Sequence, residues 1–126
     1  MKQRKHILIV DDHEDTCIVL SKLLNNAGYE VATARTIASA VSLARSYRYD
    51  IYILDNWFPD GSGIELCKQI RASDSCTPIV FYSGVSGQLE RDNAAIAGAQ
   101  AYLIKPVDID QLTGTISNLI SCSLAA

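Results

Sequence analysis

Long hydrophobic runs are missing from this 126-residue chain: its apolar stretches are four or five residues long, against the roughly 20 that cross a bilayer. The basic stretch at the start, Lys2, Arg4, Lys5 and His6, is followed by too little apolar sequence to form a signal peptide. The expectation is a soluble, cytoplasmic protein without a membrane partner. No other basic stripe occurs, and 11 Lys and Arg against 14 Asp and Glu leave a formal net charge of −3, which argues against direct nucleic-acid binding. The four cysteines, Cys17, Cys67, Cys76 and Cys122, form no C-x-x-C pair, and a chain of this length and apolar content needs no disulfide staples. Cys17 and Cys67 fall at apolar helix positions and read as buried thiols; Cys76, in a loop, is the one candidate for reactivity. There is no internal repeat, low-complexity segment or linker, so residues 1–126 read as one domain with its core at about 6–121.

What the chain does have is a set of short apolar runs that each end in a polar residue. Ile7 to Val10 leads into Asp11 and Asp12, Ile51 to Leu54 into Asp55, Ile79 to Tyr82 into Ser83, and Ala101 to Ile104 into Lys105 and Pro106. Between them lie segments of helical period. Cys17, Leu20, Leu24 and Ala27 form one stripe that Gly28 can end. Ile37, Ala40, Val41 and Ala44 mark a second helix capped by Thr36, and Ser62 with Glu65 has capping-box spacing for a third. Ser86 can cap a fourth helix reaching Gly98, and Asp108 with Gln111 a fifth carrying Leu112, Ile116 and Leu119. Val31 to Ala34 is the weakest run and suits an edge strand. The pattern is α/β: a doubly wound, five-stranded parallel sheet with five helices, flavodoxin-like. Right-handed crossovers around a central first strand lead naturally to the order 2-1-3-4-5.

Parallel strands share a carboxyl edge, and open α/β sheets hold their ligands there. Asp11, Asp12 and Asp55 would then meet with Ser83 and Lys105 in one crevice. Two carboxylates about 4 Å apart repel by roughly 4 kcal/mol at an effective dielectric of 20, a conflict that an oxygen-seeking cation such as Mg²⁺ relieves. Asp11 or Asp12 could instead cap the first helix, and both readings can hold together. Asp55 is the best-placed nucleophile, since a carboxylate can accept a phosphoryl group once a metal and a cation neutralise the incoming charge. Taken singly, Lys105 reads as a solvated loop lysine and Ser83 as a turn residue. Their joint position at strand ends favours the functional reading.

With these residues in place, the chain resembles a response-regulator receiver domain, the phosphoacceptor module of two-component signalling, from His6 to about Ser121. The resemblance rests on Asp11 and Asp12 after the first strand, Asp55 within the segment Asp55 to Gly63, Ser83 after the fourth strand, and Lys105 with Pro106 after the fifth. It implies the 2-1-3-4-5 order as well. It also implies that Asp12 and Asp55 bind Mg²⁺ directly, Asp11 largely through water, and the Trp57 backbone carbonyl supplies a further ligand. Asp55 would take its phosphoryl group from a phosphohistidine on a sensor histidine kinase or a histidine phosphotransfer protein. Ser83, the amide of Gly84 and Lys105 would hold the phosphate oxygens. Ser83 and Tyr102 would form a switch that alters the face of the fourth helix, fifth strand and fifth helix; Tyr102 otherwise reads as an ordinary half-buried strand residue. That face could serve a downstream protein or a homodimer. The domain would catalyse only its own phosphorylation and dephosphorylation, with output through a protein contact or a phosphorelay.

Trp57 and Val85 fall where side chains flank the hydrolytic water in this family, so they are expected to exclude or misorient it and prolong the phosphorylated state. Trp57 could equally be a partner contact. His13 reads as a first-turn helix residue near the donor's docking surface, without a catalytic role, and His6 needs no functional account. The enzyme-class rival is an aspartate-nucleophile phosphatase, but that pattern carries D-x-D at the first strand and a cap insertion. A flavodoxin-like FMN carrier would need a hydroxyl- and glycine-rich loop where Asp11-Asp12-His13-Glu14 stands. Met1 and the short tail after the fifth helix point to a self-standing protein, although a segment of a larger kinase or regulator would look the same.

Overall fold

The computed structural model describes residues 4–84 and 87–125; the expected cap Ser86 and the water-flanking Val85 lie outside the described residues. In chain order the elements are β1 (His6–Val10), α1 (Glu14–Asn26), β2 (Glu30–Ala34), α2 (Ile37–Ser46), β3 (Ile51–Leu54), β4 (Trp57–Phe58), β5 (Gly61–Ser62), α3 (Gly63–Ser73), β6 (Ile79–Ser83), α4 (Gln88–Ala97), β7 (Ala101–Ile104) and α5 (Ile109–Ala125). Five strands form one parallel sheet in the order β2-β1-β3-β6-β7. Counting only those strands, this is the expected 2-1-3-4-5 arrangement, with β1 inside and β2 at an edge. The short antiparallel hairpin β4-β5, with Trp57 opposite Ser62, was not foreseen.

Strand side chains alternate across the sheet, and both faces are covered, so the inner strands β1, β3 and β6 read as near-continuous apolar runs. Leu8, Val10, Tyr52, Leu54, Ile79 and Phe81 pack with Ile37 and Ala40 of α2, Leu66, Cys67 and Ile70 of α3, and Ala94 and Ala97 of α4. On the other face Ile7, Ile9, Ile51, Ile53, Val80 and Tyr82 pack with Cys17, Leu20 and Leu24 of α1 and Leu112, Ile116 and Ile120 of α5. Each fully buried Leu, Ile, Val or Phe among them contributes about 1.5–3 kcal/mol, so the two layers fix the strand register firmly. Cys17 and Cys67 are buried free thiols whose pKa values burial raises, while Cys76 and Cys122 are exposed. Among the described residues no helix is long and apolar enough to cross a membrane.

The helix starts follow their capping chemistry. Thr36 Oγ1 accepts the Ser39 amide and the Ser39 hydroxyl accepts the Thr36 amide, a complete capping box. Ser62 accepts the Glu65 amide and Asp108 the Gln111 amide. α1 ends one residue before Ala27, which is exposed rather than part of the buried stripe, and Gly28 follows at φ 103°. α5 stays helical to Ala125, past the point where a tail was expected.

Gly63 ties the fold to the crevice. Its amide donates to the Asn56 carbonyl at 2.7 Å, and a Cβ there would collide with the Asp55 carbonyl oxygen and lie 2.9 Å from Phe81 Cε2. Only glycine lets α3 begin this close to the end of β3. Gly63→Ala should therefore cost at least about 2 kcal/mol through overpacking. Gly114→Ala on α5, where a Cβ meets nothing within 4 Å, should stabilise by about 0.5–1 kcal/mol through helix propensity. Urea unfolding of the two variants checks both, and equal effects would contradict the packing argument.

Candidate functional site

Three of the expected residues are held by backbone bonds that prolong the sheet one residue beyond its strands. The Asp11 amide donates to Ala34 O at 3.0 Å, the Asp55 amide to Val10 O at 2.9 Å, and the Lys105 amide to Ser83 O at 2.8 Å. Their side chains therefore leave the same edge at defined heights. Asp11 and Asp55 are only 2% and 7% exposed, so their charges are poorly screened by water. Lys105 Nζ lies 2.6 Å from Asp11 Oδ2 and 3.5 Å from Asp55 Oδ2. Burial pulls the Lys105 pKa down, but the Asp11 hydrogen bond and the charges of Asp11 and Asp55 outweigh it and leave the ammonium above its ordinary value. The lysine stays charged and clamps two of the three carboxylates.

The remaining carboxylate atoms show what the clamp leaves undone. Asp11 Oδ1 accepts the His13 amide at 2.9 Å, and Asp55 Oδ1 accepts the Asn56 amide at 2.7 Å. Neither candidate cap therefore caps α1: the N-cap position falls on His13, and the amide that Asp11 Oδ1 binds is that of His13, just before the helix. Asp12 Oδ1 is buried and has no hydrogen-bond partner, an arrangement that costs about 1–3 kcal/mol or more for a charged group. Three carboxylates face a single ammonium, and ligand atoms of Asp11, Asp12, His13 and Asp55 all lie within 4.8 Å of one another. A divalent cation with oxygen preference fits this set: it balances the charge and satisfies Asp12 Oδ1.

Ser83 ends β6 in the buried layer, 1% exposed, opposite Ile104 in register. Gly84 follows it at the surface, where a Cβ would meet nothing within 4 Å. Tyr102 pairs with Phe81 across the β6-β7 ladder, so it lies on the same face as Phe81 and Ser83. Its ring stacks on Phe81, centroids 5.7 Å apart and planes 6° from parallel, and the Arg91 guanidinium of α4 sits 5.8 Å from the ring centroid. Trp57 stands on the β4 hairpin two residues after Asp55 and is 61% exposed.

Two residues join the site without having been assigned to it. His13 was read as a helix residue at a docking surface, yet its Nδ1 lies 3.1 Å from both Asp11 Oδ1 and Asp12 Oδ1 and 4.0 Å from Asp55 Oδ2. Its position directly after the acidic pair was the available signal. Asp60 binds the Ile37 and Ala38 amides at 3.0 and 3.1 Å, and those bonds, Ile37's foremost, hold its pKa below the ordinary carboxylate value. It links the loop after Asp55 to the start of α2, a contact 23 residues apart that no local pattern announces.

The family model described as response regulator receiver domain matches residues 7–117. Among curated proteins, the chain is 38% identical over 106 residues to the uncharacterized transcriptional regulatory protein YrkP of Bacillus subtilis, covering 84% of this chain and 45% of that protein. It is 34% identical over 115 residues to the transcriptional regulatory protein ZraR of Salmonella typhimurium, covering 91% of this chain and 26% of that protein. The chain thus spans less than half the length of either relative. A solved CheY-like receiver domain protein from Methanospirillum hungatei superposes with a TM-score of 0.94 at 25% identity, covering 98% of both chains. Sequence match, sheet order and whole-chain superposition agree: the chain belongs to the response regulator receiver domain family, whose members are signalling switches of two-component systems.

Proposed function

We propose that the chain is a phosphorylation-operated cytoplasmic switch in which Asp55 accepts a phosphoryl group from a phosphohistidine of a sensor kinase or phosphotransfer protein. The observation that carries this reading is the convergence of Asp11, Asp12 and Asp55 around one clamped lysine at the carboxyl edge of the sheet. Asp12 and Asp55 would hold Mg²⁺ directly, Asp11 largely through water, and the Trp57 carbonyl would add a ligand. When bound, the ion neutralises the oxygens of the entering phosphoryl group and of the carboxylates.

An Asp55 carboxylate oxygen attacks phosphorus as the P–N bond to the donor imidazole breaks. The bonding pair returns to that nitrogen, and the product is an acyl phosphate on Asp55. Lys105, already within 3.5 Å of Asp55, pairs with a phosphate oxygen, as do the Ser83 hydroxyl and the Gly84 amide. Phosphorylation replaces the −1 carboxylate by a phosphoryl group carrying about −1.5 to −2, a further charge at a crowded anionic edge, and Ser83 moves toward it. Tyr102, on the same face of the sheet as Ser83, then repacks and reshapes the α4-β7-α5 surface for a downstream protein or the next carrier in a relay. The 126 residues act as one receiver domain that turns over no external substrate. With Mg²⁺ and acetyl phosphate, mass analysis should find one labile phosphate on Asp55, absent in Asp55→Asn; a phosphate elsewhere, or none, would overturn the proposal.

Trp57 bears on the lifetime of the acyl phosphate. A bulky side chain two residues beyond Asp55 shields the phosphorus or leaves the attacking water unoriented. Trp57→Asn, which offers a polar group at that position, should speed loss of the phosphoryl group by roughly an order of magnitude, about 1.4 kcal/mol of barrier. Decay of phospho-Asp55 in Mg²⁺ measures it, and equal rates would leave Trp57 as a surface contact only.

A further inference from the structure

We propose that His13 supplies a nitrogen ligand to the divalent ion in this crevice, so that the site favours first-row transition ions over Mg²⁺ more strongly than its carboxylates alone would. This rests on the metal-binding reading above. His13 occupies the N-cap position of α1, but its side chain caps no helix amide. The ring is turned instead into the acidic cluster, with Nδ1 3.1 Å from Asp11 Oδ1 and 3.1 Å from Asp12 Oδ1. Of the two carboxylate oxygens at that distance, only Asp11 Oδ1 is placed to hydrogen-bond the ring nitrogen. Asp12 Oδ1, equally near, receives none. A hydrogen bond to Asp11 leaves Asp12 Oδ1 unserved, whereas one metal ion could take His13 Nδ1 and Asp12 Oδ1 directly, with Asp11 reached through water.

The spacings suit that role. Ligand bonds of about 2.1 Å at right angles put neighbouring donors about 3.0 Å apart and opposite donors about 4.2 Å apart. His13 Nδ1 stands 3.1 Å from Asp12 Oδ1 and 4.0 Å from Asp55 Oδ2, oxygens of the two direct ligands proposed above. The donor therefore needs little rearrangement: in the tautomer with its hydrogen on Nε2, the ring offers the Nδ1 lone pair. Mg²⁺ gains little from an imidazole because it is hard and prefers oxygen, while Mn²⁺ through Ni²⁺ bind such a nitrogen with rising affinity. His6, the other histidine, opens β1 at the opposite end of the sheet and cannot take part.

The test uses the untagged whole chain titrated calorimetrically with Mg²⁺ and with Ni²⁺, as wild type, His13→Ala and Asp12→Asn, with circular dichroism confirming folding. His13→Ala should lose at least about tenfold in Ni²⁺ affinity and much less for Mg²⁺, so the preference between the ions shrinks. Pulsed electron paramagnetic resonance of the Mn²⁺-loaded wild type, which needs no variant, should show an imidazole nitrogen coupling. An unchanged Ni²⁺ to Mg²⁺ ratio in His13→Ala, or Mn²⁺ bound without nitrogen coupling, would overturn the role of His13 while leaving the metal site intact. No binding by the wild type, or binding undiminished in Asp12→Asn, would overturn the metal site itself.

Discussion

Repulsion among three carboxylates, restrained by one ammonium, is the constraint around which the crevice is built. Asp11 and Asp55 are buried at the carboxyl edge of the sheet and Asp12 joins them with a buried oxygen left without a hydrogen bond. Lys105 bonds Asp11 closely and Asp55 more loosely. At an effective dielectric of 20, each close pair of like charges costs roughly 4 kcal/mol, so the remaining negative charge is a standing demand for cations. An incoming phosphoryl group alone would aggravate the conflict; one that arrives where a divalent ion and Lys105 are at hand would relieve it. The same charge imbalance that strains the resting site thus sets what the site can bind.

The rest of the molecule holds these groups where they would otherwise not stay. Two apolar layers lock the strand register, and single backbone bonds beyond β1, β3 and β7 carry that register out to Asp11, Asp55 and Lys105. Gly63 lets α3 start against the Asp55 carbonyl, and Asp60 pins the intervening loop to α2. On the far side, Tyr102 is stacked on Phe81, two residues before Ser83 on the same strand face. Under the proposed switch, any movement of Ser83 would act on a packed aromatic pair, and such pairs answer displacement by repacking rather than by bending.

Much of this was legible in the residues because strands and helices impose periods on sequence. Apolar runs ending in Asp11, Asp55, Ser83 and Lys105 announced the shared edge, and Thr36 and Asp108 announced their helix starts. The weak run Val31 to Ala34 announced an edge strand. The hairpin of Trp57–Phe58 with Gly61–Ser62 was hidden because two-residue strands carry no period. The bond from Asp60 to α2 was hidden because it joins a loop to a helix far along the chain. The turn of the His13 ring into the acidic cluster was hidden, because position beside an acidic pair does not say which way a ring turns. The capping box at Ser62 was half right, since Ser62 does bind the Glu65 amide.

Thermal unfolding of wild type and Asp12→Asn across a Mg²⁺ series tests the charge conflict most directly. Removing one of three crowded charges should make the metal-free variant melt higher than the metal-free wild type. Added Mg²⁺ should stabilise the wild type by about 2.7 kcal/mol at a hundredfold excess over Kd, raising its midpoint by roughly 10 °C, and leave the variant nearly unmoved. A metal-free Asp12→Asn that melts lower than wild type, with the same response to Mg²⁺, would contradict the account.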